Sequence, residues 1–233
     1  MKIEILYSEI ANLFGDMANI DYLVKCIPDA EFIYTSLNDK PKFITEDISL
    51  VYMGPMSENS QKLVIDALKP FKKDIEASIN NNVNFLITGN ALEVFGKYIL
   101  NEDGTSEEGL GIFDIYAKRC MMHRYNSIEL GMFNDIKIVG FKSSFTEVYG
   151  EVDKFIDIIR GYGNSKDSKV EGIHKNNFIA TSLLGPILIL NPYFTKYLLN
   201  KMGYNKPLLY ENEMIMAYNK RVEEFEDLKR NLD

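Results

Sequence analysis

Two cysteines and two histidines are the scarcest reactive side chains in this sequence, and their placement limits the chemistry open to it. Cys26 lies between Lys25 and Ile27, just ahead of Pro28, the setting of a half-buried structural thiol. Cys120 follows Arg119 with Arg124 close behind; cationic neighbours lower a thiol pKa, but no base is paired with it in sequence. His123 follows Met121-Met122, and His174 sits among Glu171, Lys175 and two asparagines; both read as solvated surface. Two cysteines and two histidines make neither a disulfide framework nor a zinc-type cluster. The 34 carboxylates scatter over helix faces, and no pair is spaced for general acid and base work. A Walker loop and a G-x-G-x-x-G are both missing, so neither a metal nor a nucleotide cofactor is expected. Two turns remain, Met53-Gly54-Pro55-Met56-Ser57 and Ile87-Thr88-Gly89-Asn90-Ala91. Each ends a strand-like run and leads into a helix, the place where α/β folds expose a nucleophile or bind a ligand. Gly89 can take a left-handed backbone, and Asn90 tolerates one better than most. On residue types alone both read equally as ordinary strand-to-helix turns, so function stays open.

The elements that would hold these turns alternate in the first half. Lys2–Tyr7, Glu31–Thr35, Ile48–Met53 and Asn84–Thr88 are short apolar runs rich in Ile, Val and Tyr, suited to strands buried on both faces. Asn59–Asn80 carries Leu63, Ala67, Leu68, Phe71 and Ile75 at helical spacing and ends at the turn-forming asparagines 80–82. Strand–helix–strand over this length implies a parallel βαβ unit in an open α/β sheet. After Gly96 the pattern changes to a polar loop over Asn101–Gly111 and strand-like pieces near Ile112–Tyr116, Ile136–Phe141, Glu147–Tyr149 and Phe178–Leu183. Helices are expected over Tyr193–Met202 and Glu211–Leu232. One domain built from both halves follows.

Composition narrows the partners. The chain has 233 residues, 46% hydrophobic and 26% charged, enough to bury a sizeable core. Lys+Arg 26 against Asp+Glu 34 gives a net charge of −8, which repels phosphate backbones and anionic lipid. No apolar run approaches the ~20 residues that span a bilayer, and the N-terminal MKIEILYSEI does not read as a secretory signal. A cytoplasmic globular protein with no nucleic-acid partner and no membrane span is expected.

Several motifs occur in a telling order. They are LYSEIANLFGDMANI (6–20), GPMSENSQ (54–61), GLGIFD (109–114), VGF (139–141), GYGN (161–164), EGIHKN (171–176) and SLLGPILILNP (182–192). In this order they resemble the class I glutamine amidotransferases of the cobyric acid synthase type. The nearest branch is the glutaminase subunit of lipid II isoglutaminyl synthase, which amidates peptidoglycan precursor. The similarity runs from Leu6 to about Leu199. It implies a Rossmann-like three-layer α/β fold with a mostly parallel central sheet and extra antiparallel strands in the second half. It also implies an amidotransferase-like domain over 1–205 with a C-terminal helical extension over 206–233.

The same resemblance shows what is missing. The family's chemistry needs a cysteine on a tight turn, a histidine base oriented by an acid, and backbone N–H groups for the oxyanion. The nucleophile motif Cys-Gly-Gly-Tyr-Gln falls on Gly89-Asn90-Ala91-Leu92-Glu93, so the cysteine position is Gly89; a slip of one residue gives Thr88. The histidine of Tyr-Leu-His-Gly-Pro falls on Leu184, while Asp16 keeps the acidic position. A family glycine near the oxyanion site becomes Pro55, which has no N–H, and Phe-Glu-Asn-His becomes Phe141-Lys142-Ser143-Ser144. The former substrate pocket then comprises Gly54, Pro55, Gln61, Thr88, Gly89, Asn90 and Leu184. Losing nucleophile and base together removes the mechanism. Three functions compete. The chain is a non-catalytic subunit that scaffolds or regulates a Mur-ligase-like ATP-dependent synthetase, a small-molecule binding protein using the old pocket, or an enzyme with new chemistry built on Thr88, Asn90, Asp16 or Lys142.

Overall fold

The computed structural model describes residues 1–229. In chain order the first half holds β1 (Lys2–Leu6), α1 (Ala18–Cys26), β2 (Glu31–Thr35), β3 (Leu50–Met53), α2 (Glu58–Leu68), α3 (Lys72–Asn80) and β4 (Phe85–Thr88). The second half holds β5 (Tyr98–Leu100), β6 (Ser106–Glu108), β7 (Ile115–Arg119), β8 (Tyr125–Phe133), β9 (Ile136–Ser144), β10 (Thr146–Gly150), β11 (Ile156–Arg160), β12 (Val170–Glu171), β13 (Ile173–Lys175) and β14 (Phe178–Thr181). Three helices follow, α4 (Ile187–Leu190), α5 (Pro192–Lys201) and α6 (Glu211–Glu226).

The central sheet runs β13-β14-β4-β3-β1-β2 and is parallel throughout except for the β13–β14 edge. β14, from the second half, completes it beside β4. Because side chains alternate along a strand, each buried strand feeds two cores. Val51, Met53, Phe85 and Ile87 point to one face and pack under Val64, Ile65 and Leu68 of α2 and Ile75 and Ile79 of α3. Leu50, Tyr52 and Leu86 point to the other, against Ile20 and Leu23 of α1 and Phe194 and Leu198 of α5. Three layers result. Two antiparallel-rich four-stranded sheets, β10-β7-β5-β6 and β12-β11-β8-β9, flank this body. Tyr22 Oη donates to Leu209 O at 2.8 Å just ahead of α6, and α6 itself is held by Tyr218 Oη donating to Lys137 O at 2.8 Å and by Tyr218 and Val222 packing on Leu130 and Val139. Among the described residues no helix is long and apolar enough to cross a membrane.

Several expectations change. The single helix over 59–80 breaks at Pro70 into α2, a 3-10 turn at Lys69–Phe71 and α3, because proline has no N–H for the helical ladder. The polar stretch 101–111 contains β6, which pairs with β5. The strand near Ile112–Tyr116 lies instead at Ile115–Arg119, and that at Ile136 continues to Ser144. β8 and β11 were not anticipated. In β8 the residues turned inward include Ser127, Glu129 and Gly131, so its apolar alternation is masked. For the C-terminal helix expected over 211–232, the structure gives Glu211–Glu226, and positions 230–232 lie outside the described residues.

Candidate active site

β3 and β4 are neighbours, so the turns that follow them sit side by side. The turn after β3 enters α2 with Ser57 as its cap, the Ser57 hydroxyl accepting from Ser60 N–H at 3.2 Å. The turn after β4 enters a 3-10 helix, Gly89–Phe95, rather than an α-helix. Gly89 has φ of +61°, the strained left-handed setting of a nucleophile turn, but carries no side chain. A Cβ placed there would lie 2.5 Å from Pro55 Cβ and 3.2 Å from Leu184 Cδ2. Leu184 is fixed by a two-way backbone bridge to Phe141, its N–H donating to Phe141 O at 2.9 Å. Pro55 and Leu184 thus take up the space that a side chain at position 89 would need.

Asp16 lies directly behind this turn, 1% exposed. One carboxylate oxygen accepts hydrogen bonds from Thr88 Oγ1 and Tyr52 Oη, and the other has no partner among the described residues. Burial pushes its pKa up, against the downward pull of those two hydroxyls. Asp16 therefore holds Thr88 and Tyr52 rather than an imidazole. His174 is on the edge strand β13, half-buried rather than solvated, its ring packed edge-on against Phe133, and burial lowers its pKa. His123 is exposed in the turn after β7, against Tyr125. Cys26 is fully buried under α1, not half-buried, and Cys120 is half-buried with its N–H donating to Phe145 O at 2.7 Å. No cysteine or histidine lines the cavity beside Gly89.

That cavity has a volume of about 130 Å³. Pro55, Gln61, Gly89, Asn90 and Leu184 line it, whereas Gly54 and Thr88 are buried behind it. Gly54 is required there, since a Cβ would meet Ala11 O at 2.7 Å, where the N-terminal loop crosses. Asn90 clamps the opposite turn: its Oδ1 accepts from Met56 N–H at 2.9 Å and its Nδ2 donates to Met56 O at 2.7 Å. Pro55 lacks an N–H and that of Met56 is taken by Asn90, so neither of these two positions offers a donor to an oxyanion. Asn90→Ala is expected to cost about 1–2 kcal/mol by freeing both Met56 groups, read as a lower urea midpoint at unchanged m value.

Burial also gathers charges the sequence disperses. Glu93 accepts from Gln61 Nε2 at 2.9 Å and from Thr146 Oγ1, and Gln61 Oε1 accepts from Arg119 Nη2 at 2.7 Å. Arg119 also pairs with Glu107 at 2.9 Å. Lys142, 3% exposed, donates to Gly163 O at 2.7 Å and lines the cavity. Glu93, Glu129 and Glu171 are all buried around it, so the carboxylates are not confined to helix faces. Burial raises the pKa of all three acids and lowers that of Lys142. The one sequence signal for this cluster is a charged residue inside an apolar run, Glu93 in ALEVF and Lys142 after VGF.

With this geometry in place, the comparisons with known proteins are specific. Over 210 residues the chain is 28% identical to the GatD subunit of glutamine-hydrolyzing lipid II isoglutaminyl synthase from Staphylococcus aureus (strain N315), covering 89% of this chain and 86% of that one. The corresponding subunit from Streptococcus pneumoniae (strain ATCC BAA-255 / R6) is 24% identical over 207 residues, covering 82% and 76%. A solved glutamine amidotransferase from Thermotoga maritima superposes with a TM-score of 0.54 at 12% identity, over 100% of this chain and 88% of that one, which establishes the class I amidotransferase fold. Residues 2–190 match the CobB/CobQ-like glutamine amidotransferase domain, and the chain belongs to that family.

Proposed function

We propose that this chain is a catalytically degenerate amidotransferase-like subunit of the cytoplasm, which scaffolds or regulates a Mur-ligase-like ATP-dependent synthetase. The observation that supports the reading is the crowding at Gly89, where a Cβ would lie 2.5 Å from Pro55 Cβ and 3.2 Å from Leu184 Cδ2; we take Gly89 and Leu184 as the former nucleophile and base positions. The named relatives are subunits of a glutamine-hydrolyzing synthase, which supports a retained partner surface. A site without thiol or imidazole has lost the groups that act as a unit in such catalysis.

The test is a glutaminase assay on the purified chain, alone and with a Mur-ligase-like protein encoded beside it. The expected result is no glutamate above the enzyme-free blank in either case, together with co-purification of the two proteins. Glutamate release that survives substitution of Cys26 and Cys120 would overturn the reading and move the chemistry to Thr88 or Asn90.

A further inference from the structure

We propose that Lys142, a residue that lines this cavity, carries a reactive amine able to form an imine with a small neutral aliphatic aldehyde or ketone. The inference is independent of any partner role and stands whether or not glutamine hydrolysis is lost.

Four observations carry it. Lys142 is paired within the long β8–β9 ladder, opposite Ser127 and two pairs in from its Tyr125–Ser144 end, so its backbone is held. Its ammonium nitrogen is hydrogen-bonded to main-chain carbonyls, Gly163 O at 2.7 Å and Asn164 O at 3.5 Å, not to a carboxylate among the described residues. A buried lysine without an ion pair loses the stabilisation that keeps it charged. Lys142 also borders the cavity, whose walls include Leu13, Phe14, Pro55, Met56 and Leu184, apolar groups that suit an aliphatic ligand. Finally, Glu129 shares a face of the β8–β9 pair with Lys142, two residues along from its partner Ser127, and leaves one buried carboxyl oxygen without a partner.

The charged groups that act on the amine are Glu93, Glu129, Glu147 and Glu171, whose charges pull its pKa up while burial, the largest effect, pulls it down. Burial pushes the pKa of three of these acids, Glu93, Glu129 and Glu171, upward, which weakens their pull. The buried and largely apolar wall penalises an anionic ligand by desolvation, so a neutral carbonyl compound is favoured over a keto acid. In the reaction the neutral Nζ attacks the carbonyl carbon and the C=O electron pair moves to oxygen. Proton transfer gives a carbinolamine. Loss of its hydroxyl as water then leaves C=N, so aldehyde plus amine gives imine plus water with no change of oxidation state.

The experiment uses the wild-type full chain with limiting propanal at pH 7, with added cyanoborohydride to trap the imine as an N-propyl lysine. Peptide mass spectrometry then compares Lys142 with Lys62 and Lys73, two exposed lysines. An ordinary lysine, with a pKa near 10.4, is only about 0.04% neutral at pH 7, and each unit of depression multiplies that fraction about tenfold. The expected result is at least tenfold more label on Lys142 than on either exposed lysine, and a smaller preference with glyoxylate. That preference should vanish in 8 M urea. Equal or lower labelling of Lys142, or a preference that persists in urea, overturns the inference, and a stronger preference with glyoxylate overturns the neutral-ligand assignment. The comparison lies within one folded chain, so no variant has to fold.

Discussion

Gly89→Cys, the apparent repair of this site, is expected to destabilise the protein by roughly 2–4 kcal/mol and to restore no glutaminase activity. Two costs add. A side chain at φ +61° is strained, and its Cβ would sit 2.5 Å from Pro55 Cβ, well inside contact distance. Pro55 cannot withdraw freely, because its carbonyl accepts from Leu13 N–H at 3.0 Å and Asn90 holds the next residue at both polar groups. In a chain of 233 residues this cost lowers Tm by roughly 5–15 °C. Activity stays at the blank, since a new thiol still faces Leu184 and no base. Pro55→Gly removes the nearest clash, so a double-mutant cycle of Gly89→Cys with Pro55→Gly should return a favourable coupling of about 1 kcal/mol or more. Thermal melts of the four proteins decide it. A Gly89→Cys variant melting within about 2 °C of the parent would show that the turn is looser than its packing implies.

The same packing explains what the sequence could and could not disclose. β3 and β4 are legible because both of their faces are apolar, leaving the continuous runs LVYM and FLIT with small turns behind them, and β1 is legible from Ile3, Ile5 and Leu6 despite the buried Glu4. The turn at Thr88-Gly89-Asn90 is legible for the same reason, and the motif resemblance is what proposes Gly89 and Leu184 as former reactive positions. That these two residues and Pro55 touch is not legible, because the contact joins turns after β3 and β4 to the segment after β14, far apart in sequence. The buried acids are hidden for a different reason. In β8, Glu129 looks like an exposed residue by type, and only the sheet order β12-β11-β8-β9 encloses it. A polar residue turned inward inverts the period on which strand reading depends, so the strand and its charge are lost together. Likewise the sequence marks Lys142 only as a replaced position and a candidate for new chemistry, and its burial follows from β9 running on to Ser144.

That enclosed acid gives the second large effect. Burial pushes the Glu129 carboxyl up to about 8 from an ordinary value of 4.5, helped by the nearby Glu171 charge and opposed by Lys142. Between these two values the folded chain holds a proton that the unfolded chain releases. Its contribution to stability is therefore full below about pH 4.5 and is lost as pH rises through about 8. The slope over that window reaches about 1.4 kcal/mol per pH unit for one group. Glu129→Gln is neutral at every pH and can keep the 2.9 Å hydrogen bond from Tyr162 N–H. At pH 5 the variant should match the parent to within about 1 kcal/mol, since both side chains are then uncharged. At pH 9 it should be more stable by roughly 2–4 kcal/mol, because the parent must bury a carboxylate with one oxygen unpaired. Asp16 and Glu93 titrate in both proteins and drop out of the difference, while Glu171, relieved of a like charge, ionises more readily in the variant and Lys142, relieved of one carboxylate, gives up its proton more readily. Urea midpoints taken at half-unit steps from pH 5 to 9 measure the two curves. Parallel curves would mean that Glu129 is ionised in the folded protein at neutral pH, with its charge balanced by Lys142, and the amine at the cavity wall would then be an ammonium.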